Sequence, residues 1–350
     1  MKIRIDEIRI RTESIFQKVG LSNLDAQVLT EVLLNTEMRG VFTHGIFRVP
    51  NYVKCLESGG TNKVSELHIV SDTPSWASVD GDGGLGIILS HKAMELAIQK
   101  AKNTGIGIVN IRNSHHFGAA GYYAGMCADQ KMIGLSMSNG SAMLAPTGGC
   151  RSAVGNNPFA FAAPAGKYDK LLLDIAMSGS SDIKILQMAK EGKPLPPGWL
   201  IDKAGNPTTD ASAYPKNGVL LPFGGHKGYG LAMMVEVLAA ALSGAATLRH
   251  VKSWNMNPDT TGNTGHMFMA LDVEQIQDIR EFEQCMETMI DELKATEKAA
   301  GVEEIYYPGE IELKKLRKCL ESGEVEIADD TMLKFAQVEE QLGLTEKPET

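Results

Sequence analysis

Between residues 39 and 48 the chain reads Arg-Gly-Val-Phe-Thr-His-Gly-Ile-Phe-Arg, which sets one imidazole, His44, four residues before a fixed cation, Arg48. On a helix that spacing puts both side chains on one face. An arginine grips a carboxylate through a planar fork of two hydrogen bonds. A histidine gives or takes a proton near neutral pH. Together they suit a carboxylate substrate whose reacting group changes protonation. An exposed arginine beside a satisfied core histidine meets the same spacing, so the assignment needs support from the rest of the chain.

Several other stretches carry chemistry-bearing residues. Arg112-Asn113-Ser114-His115-His116-Phe117-Gly118 follows a strand-like run and precedes a helical one. Loops in that position hold functional groups over a rigid scaffold. Adjacent histidines point in different directions, so one of the two at most is functional. A capping Asn and Ser with surface histidines is the competing reading. Gly224-Gly225-His226-Lys227-Gly228-Tyr229-Gly230 joins glycines, a lysine and a helix start. That combination suits a phosphate, and a flexible loop with a solvated lysine is its rival. Gly81-Asp82-Gly83-Gly84-Leu85-Gly86 matches the Gly-x-Gly-x-x-Gly dinucleotide fingerprint letter for letter. A Rossmann unit would close its next strand on Asp or Glu for the ribose; Arg112-Asn113 stands there instead, and an arginine suits a 2′-phosphate, so the motif stays open on this ground. A lone match of this kind is weak, and a turn rich in Asp and Gly is the favoured reading.

The elements that must hold these residues follow from periodicity. Residues 1 to about 60 read as helical, with Asn23 as an N-cap and Leu24, Val28, Leu29, Val32 and Leu33 at helical spacing. Alternating strands and helices follow. Strands are expected at Trp76 to Val79, Ile106 to Ile111, Ile133 to Met137, Phe159 to Ala163, Leu171 to Ile175 and Met267 to Val273, with helices at Ser90 to Asn103 and Gly118 to Lys131. The Pro- and Gly-rich stretch from Gly192 to Phe223 reads as a long surface loop, and Gly228 to Leu242 as a buried helix. The pattern gives a helical N-terminal region over 1–60 that packs with C-terminal helices. A mixed α/β core spans 61–273 and binds cofactor and substrate, and a helical region closes the chain over 274–350.

Composition narrows the class. The chain has 350 residues, 43% hydrophobic and 22% charged, which is ordinary globular material. A formal charge of −9 argues against a nucleic-acid partner. The N-terminus alternates charged and apolar residues and has no signal-peptide core. Leu231 to Leu242, the most apolar run, is broken by Glu236 and too short to span a bilayer. The five cysteines are scattered without a Cys-x-x-Cys pair, which predicts reduced thiols, no metal site and a cytoplasmic protein.

Taken together, the motifs resemble the type-2 malate/L-lactate dehydrogenase family. The matching pieces are Arg-Gly-x-x-Thr-His-Gly-x-x-Arg at 39–48, Asn-Ser-x-His-x-Gly at 113–118, Ala-Pro-x-Gly-Gly at 145–149, Gly-x-Asn-Pro at 155–158, Lys-Gly-Tyr-Gly at 227–230 and Tyr-x-Pro-Gly-Glu at 306–310. They come in the family's order and cover nearly the whole chain. The resemblance implies a mixed α/β (α+β) fold with a non-Rossmann nicotinamide-binding domain, a helical N-terminal domain and a homodimer. The cofactor it implies is NAD or NADP. By position, His116 and His44 become the acid/base candidates, with His116 placed first. Arg48 becomes the substrate-carboxylate anchor, and Tyr52 and Asn157 line the same pocket. Asp174, Ile175, Ala176, Ser178, His226, Lys227, Gly309 and Glu310 fall in cofactor-binding stretches.

One stretch departs from the family pattern. After Ser178 the chain runs Gly-Ser-Ser-Asp-Ile-Lys, so Ile183 replaces a glycine and Asp182 adds a negative charge. That charge is expected near the cofactor phosphates and weighs against a 2′-phosphate. The reading is an NAD(P)-dependent oxidoreductase that passes hydride to or from C2 of a small 2-oxo or 2-hydroxy carboxylate. A cyclic imino-acid reductase on the same scaffold is the nearer alternative, and a non-catalytic nucleotide-binding protein the more distant one.

Overall fold

Nine-residue runs rich in Ile, Val, Met and Phe form the middle of the main sheet in the computed structural model, which describes residues 1–344. Strand Thr264–Asp272 pairs antiparallel with Ile106–Ser114 on one side and with Met132–Ser138 on the other. Its interior residues, such as Phe268 and Ala270, are fully buried. A strand covered on both faces reads as a near-continuous apolar run in this way. The sheet has seven strands, in the order His68–Asp72, Trp76–Asp80, Ile106–Ser114, Thr264–Asp272, Met132–Ser138, Phe159–Pro164, Lys170–Ile175. Only Trp76–Asp80 and Ile106–Ser114 run parallel; the other neighbours are antiparallel. A doubly wound dinucleotide fold needs a largely parallel sheet, so the fold is mixed α/β and not Rossmann.

Helix Gly86–Thr104 crosses between the two parallel strands and ends at Gly105 in the left-handed conformation (φ 82°). Together with helix Ala120–Ala128 it buries Ala93, Ala97, Tyr123 and Ala124 against the sheet. A separate apolar cluster joins helices Ile5–Lys18, Asn23–Met38 and Val49–Ser58 to helix Asp329–Gln341. Strand Lys2–Arg4 pairs with Glu324–Glu326 and ties the two ends of the chain together. Helix Ile279–Ala295 goes elsewhere and lays Met286 and Ile290 on Ala163, Ala165 and Tyr307.

Three local expectations are corrected. The cap of the second helix is Ser22, whose hydroxyl accepts the Asp25 amide at 3.1 Å, one residue before Asn23. Within the stretch 192–223 lie strands Leu200–Asp202, Pro207–Thr208 and Gly218–Leu220. They complete a five-stranded sheet with Ala142–Leu144 and Val154–Gly155. These strands are two or three residues long, too short for a period-2 pattern to show. The helix expected over 228–242 starts at His226 and passes at Glu236 into one widened π turn. It is not buried throughout, because Leu231, Met234, Val237 and Leu242 are 36–55% exposed.

Candidate active site

His44 and Arg48 do not share a continuous helix. Phe42–His44 and Ile46–Arg48 are two short 3₁₀ turns, broken at Gly45 by an extended backbone (φ −92°, ψ −140°). Glu37 explains the break. Its carboxylate accepts the Ile46 amide at 2.8 Å. A Cβ at Gly45 would lie 2.1 Å from the same oxygen, so any larger residue there must displace the Glu37 carboxylate. Arg48 then folds back, and its Nε donates to the Thr43 carbonyl at 2.6 Å. No carboxylate forms an ion pair with its guanidinium among the described residues.

The two histidines come together from distant parts of the chain. The rings of His44 and His116 lie 5.5 Å apart and nearly parallel, at 19°. The Tyr52 hydroxyl meets His116 Nδ1 at 2.6 Å, and His44 Nδ1 meets the Thr43 hydroxyl at 2.9 Å. Nε2 of His116 makes no hydrogen bond within the described protein. Trp254 stacks on His116 at 4.4 Å and on Tyr52 at 5.2 Å, and lies 5.4 Å from the Arg48 guanidinium. Spacing gave no sign of Trp254, which sits in a polar loop remote in sequence. Glu37 was missed for the same reason, since its partner is found only after the turn folds.

Burial sets the electrostatics. Desolvation, and then the Arg48 charge, push His44 down to about 3. His116 is also held well below the usual histidine range, first by burial and then by the charges of His44, Arg48, His115 and His266. Both rings are therefore neutral at pH 7. Burial moves the Tyr52 phenol far above its ordinary value, so it keeps its proton.

The loop that carries His116 is fixed from below. Fully buried His266 spans Ser138 and Ser114, with both ring nitrogens at 2.8 Å from a hydroxyl. It stacks on Phe117 at 4.9 Å. The Gly-x-Gly-x-x-Gly turn lies under the same loop. A Cβ at Gly86 would be 2.1 Å from the His115 carbonyl oxygen and 2.6 Å from that of His116. One at Gly81 would meet Leu89 at 2.6 Å. These glycines make room for protein, and no pyrophosphate can approach Gly86 from that side.

The remaining sequence candidates fall into three groups. Asn157 is fully buried, and every polar atom of its amide is used within the protein. Its oxygen accepts Gly140 N at 3.1 Å, and its nitrogen donates to Ala232 O at 2.9 Å and Glu236 at 2.8 Å. Among the described residues no hydrogen bond joins it to the histidine pair. Glu310 is held by Lys294 at 2.7 Å, Lys314 at 3.1 Å and Tyr307 N at 3.2 Å. Gly309 (φ 88°) abuts Leu172, so this pair buttresses the strand that ends at Ile175. Asp174 accepts the Gly121 amide at 2.8 Å at the start of helix Ala120–Ala128.

The other two stretches do meet. Ser178 bridges Pro222, and the Phe223 amide donates to Met177 O at 2.9 Å. The end of strand Lys170–Ile175, with Ala176, is thus joined to the turn leading into helix His226–Val235. His226 and Lys227 are exposed there, and Lys227 has no ion pair among the described residues. Gly224 and Gly225 have positive φ, and a Cβ at Gly225 would meet nothing within 4 Å. An open glycine turn with a free cation at a helix start fits the phosphates of a dinucleotide. Asp182 opens helix Asp182–Lys190, and its charge reaches Arg48 and Tyr214. Among the described residues no helix is long and apolar enough to cross a membrane.

The fold and this cluster define a non-Rossmann dehydrogenase. The family profile described as malate/L-lactate dehydrogenase matches residues 3–335, and the chain belongs to that family of 2-hydroxyacid dehydrogenases, which use a nicotinamide cofactor. A malate dehydrogenase of Pyrococcus horikoshii is 41% identical over 303 residues, 85% of this chain and 83% of the relative. The solved sulfolactate dehydrogenase of Methanocaldococcus jannaschii superposes with a TM-score of 0.91 at 37% identity, covering 98% of both chains. A Δ1-pyrroline-2-carboxylate/Δ1-piperideine-2-carboxylate reductase of Pseudomonas putida is 36% identical over 244 residues, 70% of this chain and 72% of the relative.

Proposed function

We propose that the chain interconverts a small 2-oxo and 2-hydroxy carboxylate, of the malate, lactate or sulfolactate kind, with NAD or NADP. The single observation that carries this reading is the His116 geometry. One ring nitrogen is tied to Tyr52 and the other has no partner among the described residues, beside an arginine that no described carboxylate pairs with. When bound, the nicotinamide supplies or accepts the hydride at substrate C2. Arg48 holds the substrate carboxylate through its outer nitrogens. Tyr52, always a phenol, accepts Nδ1–H and so leaves Nε2 as the working nitrogen. In oxidation Nε2 takes the hydroxyl proton; in reduction it returns a proton to the C2 oxygen. Proton transfer of this kind contributes roughly 10²–10⁴-fold. His44 orients the substrate or relays the proton. Lys227, His226 and the 174–178 stretch hold the cofactor.

A second reading has support in the similarity to the Pseudomonas imino-acid reductase. The same anchor and acid serve a C=N bond as well as a C=O bond. A spectrophotometric panel of pyruvate, oxaloacetate, sulfopyruvate and a cyclic imino acid, each with NADH and NADPH, separates the two readings and fixes the cofactor. Turnover of the imine alone replaces the oxo-acid reading, and no turnover with any of them removes both. Replacing Arg48 by Lys raises KM at least ten-fold if the bidentate contact exists.

The assembly proposed is a homodimer. Leu231, Met234, Val237 and Leu242 form an apolar stripe on the outer side of the 226–242 segment, which a second copy covers. Size-exclusion chromatography with light scattering tests this: the wild type runs as a dimer, and Val237→Lys shifts it toward monomer.

A further inference from the structure

We propose that Trp254 is a positioning residue for the reaction, an aromatic platform that aligns the His116 imidazole with the Arg48 guanidinium and supports the charged imidazolium. The inference rests on His116 and Arg48 having the roles proposed above. The indole contacts four members of the cluster. It is near-parallel to His116 (4.4 Å, 18°) and Tyr52 (5.2 Å, 22°), edge-on to His115 (5.7 Å), and 5.4 Å from the Arg48 guanidinium. Its loop is pinned on both sides. Cys55 Sγ donates to the Trp254 carbonyl at 3.7 Å, and the Asn255 side chain meets Asn51 at 3.4 Å. Further on, Pro258 lies against Gly60, and Asn263 accepts the Asn113 amide at 2.9 Å. Trp254 is therefore held over the site rather than hanging from its rim.

The chemical need is specific. His116 must carry a positive charge for part of each turnover, yet the fixed Arg48 charge from the second short turn opposes this. The other titratable groups that face it are imidazoles kept neutral by burial: His44 from the first short turn, His115 from its own loop and His266 from the central strand. No carboxylate is ion-paired with it among the described residues. Tyr52 offers one phenol oxygen. The electron-rich face of an indole within about 6 Å attracts a cation. It holds Arg48 at all times and His116 only when that ring is protonated.

The test compares Trp254→Leu, Trp254→Phe and His116→Ala in the direction of hydroxy-acid oxidation. Trp254→Leu lowers kcat/KM about ten-fold and moves the acid limb of the kcat profile to lower pH, because a less supported imidazolium forms less readily. Cofactor Kd, read by NADH fluorescence, stays within about two-fold, and Trp254→Phe recovers most of the loss. The isosteric check is polyfluorinated tryptophan. The chain has three tryptophans, so the same labelling of Trp254→Phe controls for the other two. Fluorination shifts the limb in the native protein and leaves the Phe variant unmoved. An unmoved limb in the fluorinated native protein overturns the proposal, even where the Leu variant fails to fold. Wild-type kcat/KM in Trp254→Leu with an inactive His116→Ala also overturns it and leaves the site assignment standing. Full activity in His116→Ala removes the assignment itself, and the proposal with it.

Discussion

Gly86 lies directly beneath His115: a methyl group on its α-carbon would come within 2.1 Å of the His115 carbonyl oxygen. The contact is with backbone, so no side-chain rotation relieves it. Gly86→Ala must lift the 115–116 loop and with it the His116 ring. Misplacement by about 1 Å costs on the order of 10²-fold in rate. The expected result is a fall in kcat of that size with cofactor Kd unchanged. Steady-state kinetics beside an NADH titration check it, and wild-type kcat in the alanine variant would show that the loop is not fixed from below.

That contact also explains what the sequence could and could not reveal. The long strands and helices were legible because their apolar periods are long. The family motifs singled out His44, Arg48, Tyr52 and His116, which converge in space although His116 lies far from the other three in sequence. The Gly81–Gly86 run was rightly set aside as a fingerprint, yet its actual use was invisible. A glycine that accepts a phosphate and one that accepts a carbonyl look alike in one dimension. Asn157 shows the converse. Its motif gave no sign of the three hydrogen bonds it makes to Gly140, Ala232 and Glu236. Trp254 had no local signal at all, because its partners come from segments far away in sequence.

Glu37 controls the turn between His44 and Arg48 through one hydrogen bond, to Ile46 N at 2.8 Å. It is buried with no cationic partner among the described residues, and burial raises its carboxyl to about 7. Glu37→Gln keeps an acceptor in the same place and removes the titration, so activity near pH 7 should hold within a few-fold. Glu37→Leu leaves the Ile46 amide unpaired, which costs about 1–3 kcal/mol, and lets Arg48 drift. KM for the carboxylate should rise more than kcat falls. Equal behaviour of the Gln and Leu variants would count against the hydrogen bond as the cause.

The pH dependence of oxidation follows from the lowered histidines. On the proposed role of His116 the base must be neutral, and in the free enzyme His116 is held below the usual range by burial and by Arg48. The kcat/KM profile should therefore stay flat through pH 6.5 and fall only well below it. A carboxylate seated on Arg48 cancels one of the opposing charges, so the acid limb of kcat, which reports the complex, should lie at higher pH than that of kcat/KM. In the reducing direction the protonated form is required, and the rate should drop as pH rises. An acid limb at 6.5 in kcat/KM would mean that His116 is solvated in the working enzyme.

Acid should also unfold this protein early. His115 and His266 are 1% and 0% exposed, and burial lowers them to about 4 and about 3. In the unfolded chain each titrates near 6.5. Between those values the unfolded state binds protons that the native state refuses, so the stability held above about pH 6.5 is lost as pH falls. The slope is on the order of 1 kcal/mol per pH unit for each histidine. Denaturant melts from pH 7 to pH 5 should show it. His266→Asn keeps the means to bond Ser114 or Ser138 but cannot take up the proton, so its stability should fall less steeply than that of the wild type. Parallel slopes in the two proteins would assign the acid sensitivity to other groups.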